Sequence, residues 1–341
     1  MATVNLETRA QYGELIKGVG VQFMDVHNQS KDSYSLSLDD AVGQAGNKKS
    51  ALFKQVPTSA AKVHFTGKSG TNYLQDTAEG ADFASDSRQT LYKTSIAPRK
   101  FTQSVSVTYE AMEDNNYQEE LDEFGDLTVS GMETMDKSAW DVLNYAFVAQ
   151  TSLPSSIVGY GDGKPLCSIS HPRKDGGTAQ LNTFASATTQ LTLTDDNLES
   201  ARNTLARHLD DRGKPQRGGM SGLMLVVPPE LEKTAIILTN GVKRSGTANN
   251  DINIYDGIMT VIVSKWLAYS GNGGSLASTA WFLIDPKLAK LMFIEREGLG
   301  THTHLHKNLD QTFYIRARWG LTWKDWRGVF GSLGDESAYA A

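Results

Sequence analysis

The run from Tyr117 to Gln150 sets the terms for the rest of the chain. Its apolar residues Leu121, Phe124, Met132, Met135, Ala139, Val142, Leu143, Ala146 and Phe147 recur every three or four positions, as one face of an α-helix requires. Asn115 and Asn116 supply caps for its start. Glu119, Glu120, Asp122 and Glu123 occupy the end where the helix dipole favours negative charge. Pro154 stops it. At 1.5 Å per residue such a helix is roughly 50 Å long, beyond the usual range of about 8–20 residues. Gly125 and Gly131 offer places to bend. A strut of this length needs an equally long surface to lie against.

The segment before it, residues 62–109, reads as an extended hairpin. Lys62-Val63-His64-Phe65-Thr66-Gly67 alternates as a strand does, and Phe101 to Tyr109 alternates more cleanly, with Leu91 to Ile96 leading into it. Between them Gly70 to Gln89 is rich in Gly, Ser, Asp and Thr. The large apolar side chains are Val63, Phe65, Tyr73, Leu74, Phe83, Leu91, Tyr92, Ile96, Phe101, Val105, Val107 and Tyr109. That supply is too thin to offset the ordering of the whole ribbon, and an isolated two-stranded ribbon is marginal in water. The hairpin must rest on another surface, either a second chain or its own domain. The residues alone leave both open.

Charge is distributed unevenly. From Glu110 to Asp141 there are eleven acids and one base, Lys137, so that segment carries −10. The whole chain carries −6, so everything outside the segment sums to +4. Arg88, Lys93, Arg99 and Lys100 form a basic run in which no acid intervenes. Opposite signs on two elongated surfaces favour docking and fix register, either within one chain or between copies: Arg88, Lys93, Arg99 and Lys100 against Glu119, Glu120, Asp122 and Glu123. The overall negative charge argues against a dedicated nucleic-acid binder. The lone Cys167 excludes an internal disulfide. No apolar run of about 18 residues predicts a membrane span, and the first residues lack a basic-then-apolar leader. These features fit a soluble protein made in the cytosol.

Residues 1–61 are polar and read as an arm that borrows order from something else, with a short helix from Arg9 to about Gly20. After the long helix comes a loop-rich passage, then a helix from Leu191 to Leu209 and a strand from Leu223 to Val227. Pro228-Pro229 opens a helix to about Leu238. Further strands are predicted at Ile258–Val263, from Trp281, at Leu291–Glu295 and at Thr312–Trp319. Helices and strands interleave without a regular βαβ repeat, which predicts the α+β class.

No chemical constellation amounts to an active site. His302, His304 and His306 would share one face if extended, as a three-histidine metal site needs. The flanking Gly298, Gly300 and Asn308, without a nearby carboxylate, favour a solvated turn with pH sensitivity. Cys167 and His171 have the spacing of a thiolate–imidazole pair, yet a packed cysteine beside a His-Pro turn accounts for them more simply. Ser170 lacks the G-x-S-x-G glycines, and Gly218 to Gly222 lacks the lysine of a phosphate loop.

Three motifs carry a resemblance. Asp162-Gly163-Lys164-Pro165-Leu166 is followed by Ser170-His171-Pro172, Gly176-Gly177 and Asn182; then come Leu225 to Ala235, and Asn250 to Gly257. With the arm, hairpin, long helix and α+β body, they resemble the major capsid proteins of tailed bacteriophages with the lambdoid coat fold, and are similar to the Mu-type major head subunit. The resemblance implies an N-arm over 1–61 and an E-loop hairpin over 62–109. It implies a peripheral domain over 110–215 with a spine helix at 117–150, an axial domain over 216–285, and return strands with a C-terminal segment over 286–341. It further implies a structural protein, not an enzyme, without cofactor or metal, forming hexamers and pentamers in an icosahedral shell. That shell would enclose double-stranded DNA without sequence-specific binding, in the virion, after assembly in the host cytoplasm. Portal, scaffolding or decoration proteins are possible partners. His302, His304 and His306 would then lie near local three-fold contacts. Lys68 near the hairpin tip has no identified Asn and acid partners for an isopeptide bond. Two other readings stand beside this one: an encapsulin-like compartment shell, and a hydrolase built on Cys167 and His171 or a metalloenzyme built on the histidine cluster.

Overall fold

The computed structural model describes residues 52–83, 85–114, 118–184, 190–216, 218–239, 253, 255, 258–271, 273–274, 276–289 and 291–339. The arm as far as residue 51, its short helix and most of the Asn250–Gly257 motif lie outside them.

Two sheets and one long helix organise the body. The first sheet runs β1 (Phe53–Pro57), β9 (Leu291–Leu305), β10 (Gln311–Trp323) and β4 (Arg99–Val107), with β5 (Ile157–Val158) added alongside β10. β1 is parallel to β9, and the other long pairs are antiparallel. Strict alternation divides this sheet. Phe313, Ile315, Ala317 and Trp319 of β10 are buried, while Thr312, Tyr314, Arg316 and Arg318 turn the other way.

The buried face receives α2 (Gln118–Asn144), which follows the short α1 (Tyr109–Glu113). Phe124 and Leu127 pack on Val105, Val107, Phe313 and Ile315. Further along, Ala139, Trp140, Val142, Leu143 and Ala146 enter the main core with Phe293, Trp319, Leu321, Trp323 and Trp326. The helix is roughly 40 Å long for its 27 residues, and it ends before the expected Gln150. Asn144 explains the early stop: its amide donates to Trp266 O at 2.9 Å, and its Oδ1 accepts from Ala268 N at 2.9 Å. That loop captures the last turn. Gly131 serves close approach, since a Cβ there would lie 2.7 Å from Ile315 Cδ1 and 3.1 Å from Leu299 Cδ1.

The second sheet runs β11 (Val329–Ser332), β8 (Trp281–Ile284), β6 (Leu223–Val227) and β7 (Met259–Val263). All five residues of β6 are buried, as its unbroken apolar run requires of a central strand. Its core includes Leu198, Ala201 and Leu205 of α3 (Asp195–Ala206) and Ala235 of α4 (Glu232–Thr239). Thr194 caps α3 by accepting from Asn197 N.

The hairpin differs from the expectation. β2 (Val63–Lys68) pairs with β3 (Thr90–Ile96), so the return strand is β3, while β4 belongs to the body sheet. Pro98 interrupts the chain between them, and Phe101, Val105 and Val107 find a buried face only on the body. The root is held by its own chain, where Ile96 is buried with Met292 and Ile294, and Val63 and Phe65 pack alongside.

Candidate assembly surface

The outer part of the hairpin carries the most exposed large apolar side chains among the described residues. Tyr73 is 70% exposed, Leu74 100% and Phe83 95%. Every described residue from Thr71 to Thr90 is exposed. This tip hangs from one turn of the body. Asp210 closes that turn by accepting from Arg212 N at 2.8 Å and Lys214 N at 2.9 Å. Arg212 then forks onto the hairpin, reaching Asp86 Oδ1 at 2.9 Å, Ser69 Oγ at 3.2 Å and the Ser87 carbonyl. Lys214 donates to the Thr71 carbonyl and sits 4.3 Å from the Tyr73 ring centre. Asp86 accepts from Asn72 N and pairs with Arg212, and these interactions hold its carboxyl below the usual carboxylate range.

Behind the latch lies a buried polar network. Arg327 pairs with Asp211 at 3.1 Å and Asp325 at 3.2 Å, and donates through Nε to Leu209 O at 3.0 Å. Burial opposes its charge, but Asp325 and Asp211 outweigh burial and raise its pKa. His208 lies between two carbonyls, Leu181 O at 2.8 Å and Arg327 O at 2.9 Å. Sequence reasoning missed this network, although Asp210-Asp211-Arg212-Gly213 carries a turn signal.

The residues singled out by sequence fall in separate places. Arg88 and Lys93 are exposed on the hairpin, whereas Arg99 and Lys100 start β4 on the body. Arg99 donates to Ser155 O. Asp122 and Glu123 are exposed on α2; the side chains of Glu119 and Glu120 lie outside those described. His302 and His304 belong to β9, and His306 closes the β9–β10 turn with its Nε2 2.8 Å from Thr312 Oγ1. A carboxylate does approach them, since Glu297 Oε1 is 3.7 Å from His302 Nε2. Among the described residues no group of three or more His, Cys, Asp or Glu is placed to hold a metal.

The Cys167–His171 pairing fails on geometry. His171 Nδ1 lies 2.8 Å from Asp162 Oδ2, and its Nε2 3.2 Å from Asn182 Oδ1, so both ring nitrogens are engaged. The ring stacks on Trp326 at 4.0 Å. Cys167 is fully buried, and burial pushes its thiol up. The Asp162, His171 and Asn182 motif is therefore an internal lock: Asn182 also donates to Leu166 O and Val329 O.

A buried lock and an uncovered tip describe a building block, and the comparisons agree. The family model for phage capsid protein matches residues 91–332. The chain belongs to the phage capsid protein family. This capsid subunit is a structural protein of the phage head, and it associates with copies of itself in the shell of the virion. A chain of the capsid of Ralstonia phage GP4 is 12% identical, with 89% of this chain and 91% of that chain covered at a TM-score of 0.50. A chain of the mature capsid of bacteriophage PhiM1 is likewise 12% identical at 0.50, covering 84% and 90%. These likenesses speak to the fold. A search of curated proteins finds no match. No helix among the described residues is long and apolar enough to cross a membrane.

Proposed function

We propose that the subunit forms hexamers and pentamers that close into an icosahedral shell around double-stranded DNA, and that each hairpin lies on a neighbouring subunit. The observation carrying this reading is the tip, where Leu74 and Phe83, the two most exposed large apolar side chains among the described residues, stand in water. In this reading residues 1–61 are the arm, whose last strand β1 joins the body sheet, and 62–109 include the E-loop; 110–215 with the α2 spine make the peripheral domain, 216–285 make the axial domain, to whose sheet and core β11 and α3 also contribute, and 286–341 supply the return strands β9 and β10 to the peripheral domain and a C-terminal segment. Arg88 and Lys93 on one hairpin face the acidic start of α2 in the next copy. His302, His304 and His306 sit near local three-fold contacts. The subunit has no catalytic role, is made in the host cytoplasm and meets a portal and separate scaffolding or decoration proteins there. Electron microscopy of the overexpressed full chain tests this. Closed particles are expected; a monomer that stays dispersed at high concentration refutes it. Particles that carry enzyme cargo instead of DNA would favour a compartment shell.

A further inference from the structure

β4 is the last strand of its sheet, and it separates two recesses. Behind it an apolar slot of about 120 Å³ opens between α2 and the sheet, lined by Phe101, Gly131, Leu299, Ile315, Ala317 and Trp319. That is somewhat below the ~150 Å³ of a cavity known to admit benzene. In front, a groove on the outer sheet face is lined by Lys100, Ser104, His304, His306, Tyr314 and Arg316. Thr102 and Gln103 border both recesses. Pairing places Lys100 opposite Arg318, and Thr102 opposite Arg316, so this face carries a block of cations. Arg316 is balanced by Glu297 at 2.7 Å, while Arg318 Nε is buried with no hydrogen-bond partner among the described residues.

The matching surface exists on the same chain. Between Gly70 and Ser87 there are four carboxylates and neither Lys nor Arg. Asp86 is taken by Arg212; Asp76, Glu79 and Asp82 are exposed beside Leu74 and Phe83. The tip thus joins acid to apolar residues, and the β4 edge joins base to an apolar slot. Within one chain the tip is tethered at the Arg212 turn, and Leu74 and Phe83 touch almost nothing, so the occupant must come from a second copy.

We infer that the hairpin tip of one subunit straddles β4 of the next, with Phe83 in the slot and Asp76, Glu79 and Asp82 facing Lys100, Arg316 and Arg318. This rests on the reading that hairpins lie on neighbours, and it adds to the contact of Arg88 and Lys93 a second one of opposite polarity: the tip brings the acid, and the body supplies the base.

The test replaces Leu74 with p-benzoylphenylalanine in isotope-labelled full-length chains, doped at about one in ten into unlabelled wild-type chains during assembly. Irradiation should join labelled tips to residues 99–104, 131–134 or 315–319 of unlabelled chains. Cross-links to unlabelled chains elsewhere overturn this inference and leave the hairpin-on-neighbour reading standing; cross-links confined within single chains overturn both. In a second arm, Asp76→Lys, Glu79→Lys and Asp82→Lys together should cut particle yield at least tenfold at 0.15 M salt. Adding Lys100→Glu and Arg318→Glu should restore it to within about threefold. A reversed tip that assembles in wild-type yield overturns the inference. So does a failure of the swap in a protein that melts like wild type.

Discussion

Replacing Leu74 and Phe83 with serine separates the two roles a side chain can have in a shell protein. In the single subunit these positions are 100% and 95% exposed, so the change removes almost no internal packing. Against a neighbour, each would return about 1.5–3 kcal/mol when fully buried. Their joint loss therefore weakens one hairpin contact by about 3–6 kcal/mol. Each ~1.4 kcal/mol is a factor of ten, so association falls on the order of 10²–10⁴-fold. In the proposed arrangement a subunit gives one hairpin and receives one, which makes the effect about one contact per subunit. The concentration at which particles first appear should rise by the same factor. Light scattering with analytical ultracentrifugation measures that concentration, and circular dichroism of the unassembled subunit measures the melting temperature. The melt should stay within about 1 °C of wild type. Particles that form within threefold of the wild-type concentration would refute the reasoning, because they would show that nothing buries these side chains.

The other expectations concern the body, the latch and His208. Arg327→Met should destabilise the subunit by about 3–5 kcal/mol, because Asp211 and Asp325 would stay buried without their cation; urea unfolding measures it, and adding Asp211→Asn and Asp325→Asn should recover part of the loss. Arg212→Ala should leave the melt nearly unchanged and accelerate amide exchange in residues 69–90, because it frees Asp86, Ser69 and Ser87 at once. Burial lowers the pKa of His208 from 6.5, so the unfolded chain takes up that proton first as pH falls. Stability should therefore decline as pH drops below about 6.5 and be flat above it, and His208→Gln should flatten the slope of melting temperature against pH between 6.5 and 5.

Local pattern revealed most of the body and little of how its pieces meet. The 3.6-residue period shows in α2 from Gln118 onward, because an amphipathic stripe is a property of the segment itself, while Tyr117 and the expected caps Asn115 and Asn116 lie outside the described residues. Its end depended on Asn144 meeting the 266–268 loop, about 120 residues away, and no window of sequence contains that contact. β6 matched its apolar run residue for residue, since a strand buried on both faces is written in composition. β9 runs ten residues past the expected Glu295, through two of the histidines, because β10 supplies a partner as far as Leu305. The hairpin was misjudged for a related reason. Alternation in Phe101–Val107 is real, but alternation names a strand and not its partner. By position the basic run belongs to the hairpin, but the chain folds half of it onto the body. The acidic tip gives no signal of its own, because a loop rich in Gly, Ser and Asp reads as mere connection.

The direction of the hairpin is fixed from the core outward. Arg327 is buried between Asp211 and Asp325, and it also holds the Leu209 carbonyl, so residues 209–211 are anchored beneath the surface. Arg212 is the next residue along that turn, and its side chain leaves the core to grip Ser69 just after β2 and Asp86 and Ser87 just before β3. Adjacent residues therefore connect the interior to the projecting arm, with no flexible spacer between them. A fork of three hydrogen bonds from one guanidinium constrains angle as well as distance, which a single apolar contact does not. The ribbon alone lacks the apolar surface to choose a direction. In the proposed assembly this arrangement would aim the tip before a neighbour arrives, so that part of the ordering cost is met during folding.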